Sequence, residues 1–394
     1  MAMREQIKRF AYAELDQAHL RLDDIEPIIV ELANHPLISV QDTYRSFEQR
    51  PVYHLQIGQG PDNILLWSQM HGDEPTATAS VLDLLNLLAH APECLPNAFW
   101  KRYSVHIVPM LNPDGAQRNT RKNAQGLDIN RDGLALQTPE GQILARLVDR
   151  LTPTVCFNLH DQNDYYGAGL RGQPATLAFL APSSDAAKTI TEARKTAMQL
   201  IVTMQTMIDL ELPQQIGRFD DTFYMRSFGD TCMAKGYPTI LVEAGKQFND
   251  PHRQCARELI SVCLLTAFIA LADNSYHDIA LDAYFAIPQN HEDTWVDVVF
   301  SGITVTHSDG SFCVDVAVND KNGHVSIKDI GDCQHVHAFT RYHCSQWHIT
   351  MSELQALYVD GPATFCLQRE EQSLFVKDGV MLNPPAAFQL PSQD

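Results

Sequence analysis

Two histidines and two glutamates in this 394-residue chain are of types and at positions suited to metal binding and proton transfer. His71 and Glu74 lie three residues apart in His71-Gly72-Asp73-Glu74-Pro75, a spacing that can aim an imidazole and a carboxylate at one ion. His160 closes the apolar run Val155-Cys156-Phe157-Asn158-Leu159 and supplies a third donor. Two histidines and a carboxylate, with a fourth position left for water, describe an open catalytic zinc site. One zinc ion per chain is expected, because no cysteine cluster furnishes a second set. Glu243 ends another apolar run, Thr239-Ile240-Leu241-Val242, and precedes Ala244-Gly245. A carboxylate partly shielded from water can take the proton of a water activated beside a metal. A buried carboxylate paired with an arginine would leave the same trace in the sequence.

These residues share a placement, at the ends of strand-like runs, and so does Asn112-Pro113-Asp114-Gly115 after Val105-His106-Ile107-Val108-Pro109-Met110-Leu111. In an open α/β sheet, ligands gather outside the carboxyl ends of the strands, so four polar termini converge on one crevice. From residues 25 to 272, short β-like runs alternate with helical periodicity, which predicts a mostly parallel mixed sheet with helices on both faces. Pro75 suits a first helical turn continued by Val81, Leu84, Leu85 and Leu88, and Thr138 is the expected N-cap of a helix reaching Leu147. Residues 257–272 are apolar nearly all round and read as a buried closing helix. After Asn274 the texture changes to short alternating runs at 295–300, 312–318, 325–330, 363–367 and 373–376, with turn signals Asp309-Gly310 and Asn322-Gly323. The expected division is a catalytic domain over 1–279 and a small all-β domain over 280–394. In the latter, His335 and His337 alternate near Cys333, a pattern that suits either a second metal or an exposed polar strand face.

A net charge of -19 argues against nucleic acid and anionic membrane surfaces as partners. The longest apolar run, 261–272, is short of the roughly 20 residues that span a bilayer, and the first residues carry no apolar signal segment. Nine cysteines, an odd number without C-x-x-C spacing, suit reduced thiols and a cytoplasmic location.

Residues 118–132, rich in arginine and asparagine, read as a solvated loop or as a carboxylate clamp with an oxyanion stabiliser. Taken in order, His71-Gly72-Asp73-Glu74, Asn112-Pro113-Asp114-Gly115, Arg121, Asp128-Ile129-Asn130-Arg131, His160 and Glu243 resemble the zinc carboxypeptidase family of the carboxypeptidase A type. The likeness covers residues 46–245. It implies a zinc carboxypeptidase-like fold in which His71, Glu74 and His160 hold zinc and Glu243 is the general base and proton shuttle. Arg121 would polarise the scissile carbonyl, Asn130 and Arg131 would bind the substrate's terminal carboxylate, and Asp128 would orient His71.

The chain departs from that pattern at Asp161-Gln162, where the family has a small residue and an aromatic. Tyr224 is the nearest match to the family's substrate-capping tyrosine, and a core aromatic is its other reading. Phe228 and Asp230 fall where the family lines the pocket for the terminal side chain, and Arg171 faces either cleft or solvent. The resemblance implies a metallocarboxypeptidase acting on a peptide with a free carboxylate. The alternative is an N-acyl-amino-acid hydrolase of the related aspartoacylase and succinylglutamate desuccinylase type, whose β domain rims the cleft.

Overall fold

The computed structural model describes residues 2–170, 172–321, 324–345, 348–352, 354, 375–377 and 380–382. The chain forms two compact units, the first running to His291 and the second beginning at Glu292.

The first unit is built on an eight-stranded sheet. Its strands are β1 (Ile38–Arg45), β2 (Pro51–Ile57), β3 (Asp62–Trp67), β4 (Tyr103–Val108), β5 (Val155–Asp161), β7 (Leu177–Leu180), β8 (Ile216–Arg218) and β9 (Thr239–Ala244), and β6 (Gly167–Ala168) pairs separately with β10 (Asn290–His291). The spatial order is β1-β2-β4-β3-β5-β9-β7-β8. The centre, β4-β3-β5-β9, is parallel, as the sequence predicts. The flanks are mixed: β1, β2 and β4 pair antiparallel, and β7 runs against β9.

Strands β4, β5 and β9 are buried almost throughout, the pattern of a sheet covered on both faces, whereas β1 is largely exposed. The helices are α1 (Ala2–Phe10), α2 (Leu22–Ala33), α3 (Thr76–His90), α4 (Asn97–Arg102), α5 (Pro113–Arg118), α6 (Pro139–Leu151), α7 (Glu192–Ile208), α8 (Phe228–Ala234), α9 (Gln254–Asp273) and α10 (Leu281–Ala286). One core layer joins α3, α7 and α9 to the face carrying Ile64, Leu66, Val155 and Phe157. The other joins α6 and α8 to the face carrying Leu65, Trp67 and Cys156. Helix α9 is long and apolar enough to cross a membrane, yet 78% of its apolar window is buried inside the protein, as befits the closing core helix. Thr138 caps α6 by accepting the Gly141 N–H at 3.0 Å, as expected, while Pro75 stands at the N-cap of α3, just before its first turn.

The Asn112-Pro113-Asp114-Gly115 segment has a structural part. Asn112 accepts from Gly115 N at 2.9 Å and donates to Met70 O at 3.2 Å, tying this turn to the one that presents His71. The two backbones touch: a Cβ on Gly72 would lie 1.9 Å from the carbonyl carbon of Gly115. Asp114 in turn accepts from Ser46 Oγ and Arg50 Nη1 at 2.8 and 2.7 Å.

Residues 280–291, assigned by texture to the second domain, lie in the first unit. Tyr284 of α10 is buried and its hydroxyl accepts the Ala181 N–H at 3.1 Å, and Asn290 pairs with Ala168. Short, turn-rich sequence looks alike on either side of such a boundary.

In the second unit, β11 (Trp295–His307), β12 (Gly310–Lys321), β13 (His324–Gly331), β14 (His337–His343) and β15 (His348–Thr350) form a sheet of order β13-β12-β11-β14, with β15 also on β11. The Asp309-Gly310 signal falls at the β11–β12 hairpin, where His307 pairs with Gly310. Phe300, Ile303, Val316, Val318 and Cys344 form its core. His335 sits in a turn, and His337 stacks on Trp295 with centroids 5.2 Å apart, so the two do not share a strand face. The run at 363–367, residues 373–374, Asn322-Gly323 and Arg171 lie outside the described residues.

Candidate active site

The chain leaves β3 through Gln69, whose φ of 47° turns it sharply. The Gln69 carboxamide donates to Leu20 O and Gly72 O at 2.9 and 3.0 Å and accepts from Thr78 Oγ1 at 2.8 Å. This fixes the loop that carries His71 and Glu74. His160 comes from the end of β5. The Nδ1 atoms of His71 and His160 each lie 2.7 Å from Glu74, one on Oε1 and the other on Oε2. All three side chains are buried, and their donor atoms lie within 4.8 Å of one another.

Among the described residues this is the one group of three or more such side chains able to hold a metal ion. Two imidazole nitrogens and a carboxylate suit zinc. The other His71 nitrogen, Nε2, lies 3.1 Å from Asp128 Oδ1, which fixes the ring while Nδ1 faces inward. Asp128 Oδ1 also accepts the Asn130 N–H at 2.8 Å, and Oδ2 accepts Arg121 Nε at 3.1 Å. A second Arg121 nitrogen, Nη1, lies 3.2 Å from Glu74 Oε1. Burial opposes the charged form of Glu74, but the two histidines outweigh it and hold its pKa well below the usual range. Burial likewise opposes the His71 imidazolium, and Glu74 and Asp128 raise its pKa nonetheless; in His160 burial prevails and the pKa falls.

Glu243 lies directly across from His160 in the β5–β9 register. It is buried, and its Oε2 has no hydrogen-bond partner among the described residues. Burial, reinforced by Glu74 and Asp161, pushes its pKa well above the carboxylate range. The paired-carboxylate alternative lacks its partner: no described arginine forms an ion pair with Glu243.

Asn130 Oδ1 accepts the Phe228 N–H at 3.0 Å, joining the Asp128–Arg131 segment to α8. Arg131 Nη1 donates to Asn130 O at 2.8 Å, and its Cζ lies 5.4 Å from the ring of Tyr224. Tyr224 is exposed, which excludes the core-aromatic reading. Phe228 is a core residue. Asp230 is buried, accepts from the Ser227 hydroxyl, and is pushed up to about 6 chiefly by burial.

Sequence reasoning missed a charged layer behind Glu243. Asp161, visible only as a departure from the family, accepts Thr76 Oγ1 at 2.7 Å and lies 3.7 Å from Arg253 Nη1. Its carboxyl is pushed up to about 6, mainly by burial. Arg253 donates to Ala244 O at 2.7 Å and to Asp164 at 2.6 Å, clamping the strand end next to Glu243. No positional signal in the turn-like segment 249–253 marks that arginine.

The fold of the first unit is shared with solved metallocarboxypeptidases. Residues 26–139, which include His71, Glu74, Arg121 and Arg131, match the family model described as zinc carboxypeptidase. Carboxypeptidase SOL1 of Arabidopsis thaliana is 27% identical over 170 residues, 37% of this chain and 34% of that protein. The matched stretch thus spans about a third of the curated relative's length. A metallo-carboxypeptidase from Burkholderia cenocepacia superposes with a TM-score of 0.53 at 17% identity, over 66% of this chain and 70% of that one. Bovine thrombin-activatable fibrinolysis inhibitor, in complex with tick carboxypeptidase inhibitor, gives 0.51 at 14%, over 66% and 99%. Both structures share the fold.

Proposed function

We propose that the first unit is a metallocarboxypeptidase, hydrolysing the amide bond next to a C-terminal residue with a free carboxylate. The observation that carries this reading is Glu243 standing across from His160, beside three converging metal donors. Zinc held by His71, Glu74 and His160, one per chain, supplies Lewis-acid polarisation and lowers the pKa of water. Glu243 takes the proton from the attacking water and delivers it to the leaving amine nitrogen. Arg121 swings from Asp128 and Glu74 to the developing oxyanion. Asn130 and Arg131 hold the terminal carboxylate, with Tyr224 over the guanidinium at the rim. We place the protein in the cytoplasm, a reading supported by the free state of its eight described cysteines. The acidic charge of -19 supports a reading without nucleic-acid or membrane partners.

The test is mass spectrometry of products from blocked dipeptides, their C-terminally amidated forms, and acetyl- and succinyl-amino acids. Amidation leaves Arg131 without its charged partner, a loss of about 1.5–3 kcal/mol, so cleavage should slow by roughly 10- to 100-fold. Arg131→Ala should erase that difference. Cleavage confined to acyl-amino acids would establish N-acyl-amino-acid hydrolysis instead. Equal rates on free and amidated peptides would refute the clamp.

A further inference from the structure

We propose that the terminal side chain read by this site ends in a carboxamide, recognised by Asn158 and Trp67. The inference rests on the carboxypeptidase reading above and names its substrate class. Trp67 on β3 and Asn158 on β5 are register partners, so they stand side by side on one face of the sheet. Both are fully buried. The Trp67 Nε1 and both polar atoms of the Asn158 carboxamide lack a hydrogen-bond partner among the described residues. Their layer is otherwise apolar, with Leu65, Ile129, Cys156 and Phe228 in it. Leaving three such groups unpaired is unfavourable, and a polar group placed here from outside the chain would relieve the defect.

Their position says what that is. Asn158 precedes His160 by two residues and therefore shares its face. The first turn of α8 lies against it: a Cβ on Gly229 would be 3.6 Å from Asn158 Nδ2, and the preceding Phe228 N–H is bonded to Asn130. Asn130 is thus joined to the same turn of α8 that lies against Asn158, and in this proposal a residue held by its carboxylate at Asn130 and Arg131 would turn its side chain toward that spot. Since both groups are covered, entry requires that turn of α8 to move off β5.

The donors and acceptors select the ligand. The indole N–H and the Asn158 NH₂ supply donors to a carbonyl oxygen, and Asn158 Oδ1 accepts from an NH₂. A carboxylate would confront Asn158 Oδ1 with another oxygen. An apolar side chain would leave all three atoms unpaired.

The experiment compares kcat/KM on blocked dipeptides ending in glutamine, methionine or glutamate. In parallel, calorimetry follows binding of the free amino acids to the zinc-loaded full chain. Glutamine should exceed methionine by about tenfold or more in both measurements, the worth of one or two neutral hydrogen bonds. Asn158→Leu should abolish that ratio and Trp67→Phe should reduce it; ratios cancel any general loss of activity. Hydrolysis with equal glutamine and methionine values overturns the inference and leaves the carboxypeptidase reading intact. No hydrolysis, with glutamine still bound preferentially through Asn158, overturns that reading and keeps the inference. Absence of preference in binding and turnover, or a preference unchanged in both variants, overturns the inference.

Discussion

Replacing Asp128 by alanine should weaken zinc binding without unfolding the protein. Asp128 Oδ1 takes the outer nitrogen of His71 at 3.1 Å and the Asn130 N–H at 2.8 Å, while Oδ2 holds Arg121. Without that carboxylate His71 loses the contact that fixes its ring and tautomer, and the ligand becomes less basic. Partners of this kind are worth roughly 10- to 100-fold in metal affinity, about 1.4–2.7 kcal/mol. Competition of the metal-free protein against a chromophoric chelator at neutral pH measures this directly, with a thermal melt as the folding control. Arg121→Ala, which leaves the Asp128–His71 contact in place, should lose less. In Asp128→Asn an oxygen can still face His71, but the amide NH₂ then opposes the Arg121 guanidinium, so zinc affinity should survive better than activity. Equal zinc affinities for the parent and Asp128→Ala would refute the orienting role.

Glu243→Gln should retain zinc and slow turnover by about 10²- to 10⁴-fold, since the amide cannot accept the water's proton; unchanged turnover would make Glu243 structural. Acid stability turns on a pair away from the site: His54 Nε2 lies 3.0 Å from His106 Nδ1, and both rings are buried. Burial, then His54 and Arg150, depresses His106 to about 3 from the ordinary 6.5. The native ring therefore stays neutral while the unfolded chain takes up a proton below pH 6.5, so His106 costs stability as pH falls from 6.5 toward 3, by at most about 1.4 kcal/mol per unit. Denaturant midpoints over that range should fall less steeply in His106→Gln, and parallel slopes would contradict the assignment.

The positions of His71, Glu74, His160 and Glu243 were legible because polar residues ending apolar runs stand out against the pattern of a doubly covered sheet. The direction of the flanking strands was not. Buried runs such as Leu177–Leu180 read alike in parallel and antiparallel pairing, so the antiparallel β7 escaped notice. Asn158 looked like one polar residue in a strand, since its pairing with Trp67 is a matter of register. Arg253 reaches the site from a left-handed turn at φ 53°, a geometry that local composition does not announce.

The sheet order also sets a sequence of events in folding. Strand β9 comes after β7 in the chain yet lies between β5 and β7, so the sheet cannot close until β9 has left the ribosome. Glu74 and His160, 86 residues apart, are brought together where β3 pairs with β5, whereas Glu243 lies on the later strand β9. Closures of such long range are slow, and synthesis proceeds from the N-terminus. All three candidate metal donors are therefore synthesised before Glu243, and the proposed hydrolytic centre is complete only when that central strand has paired.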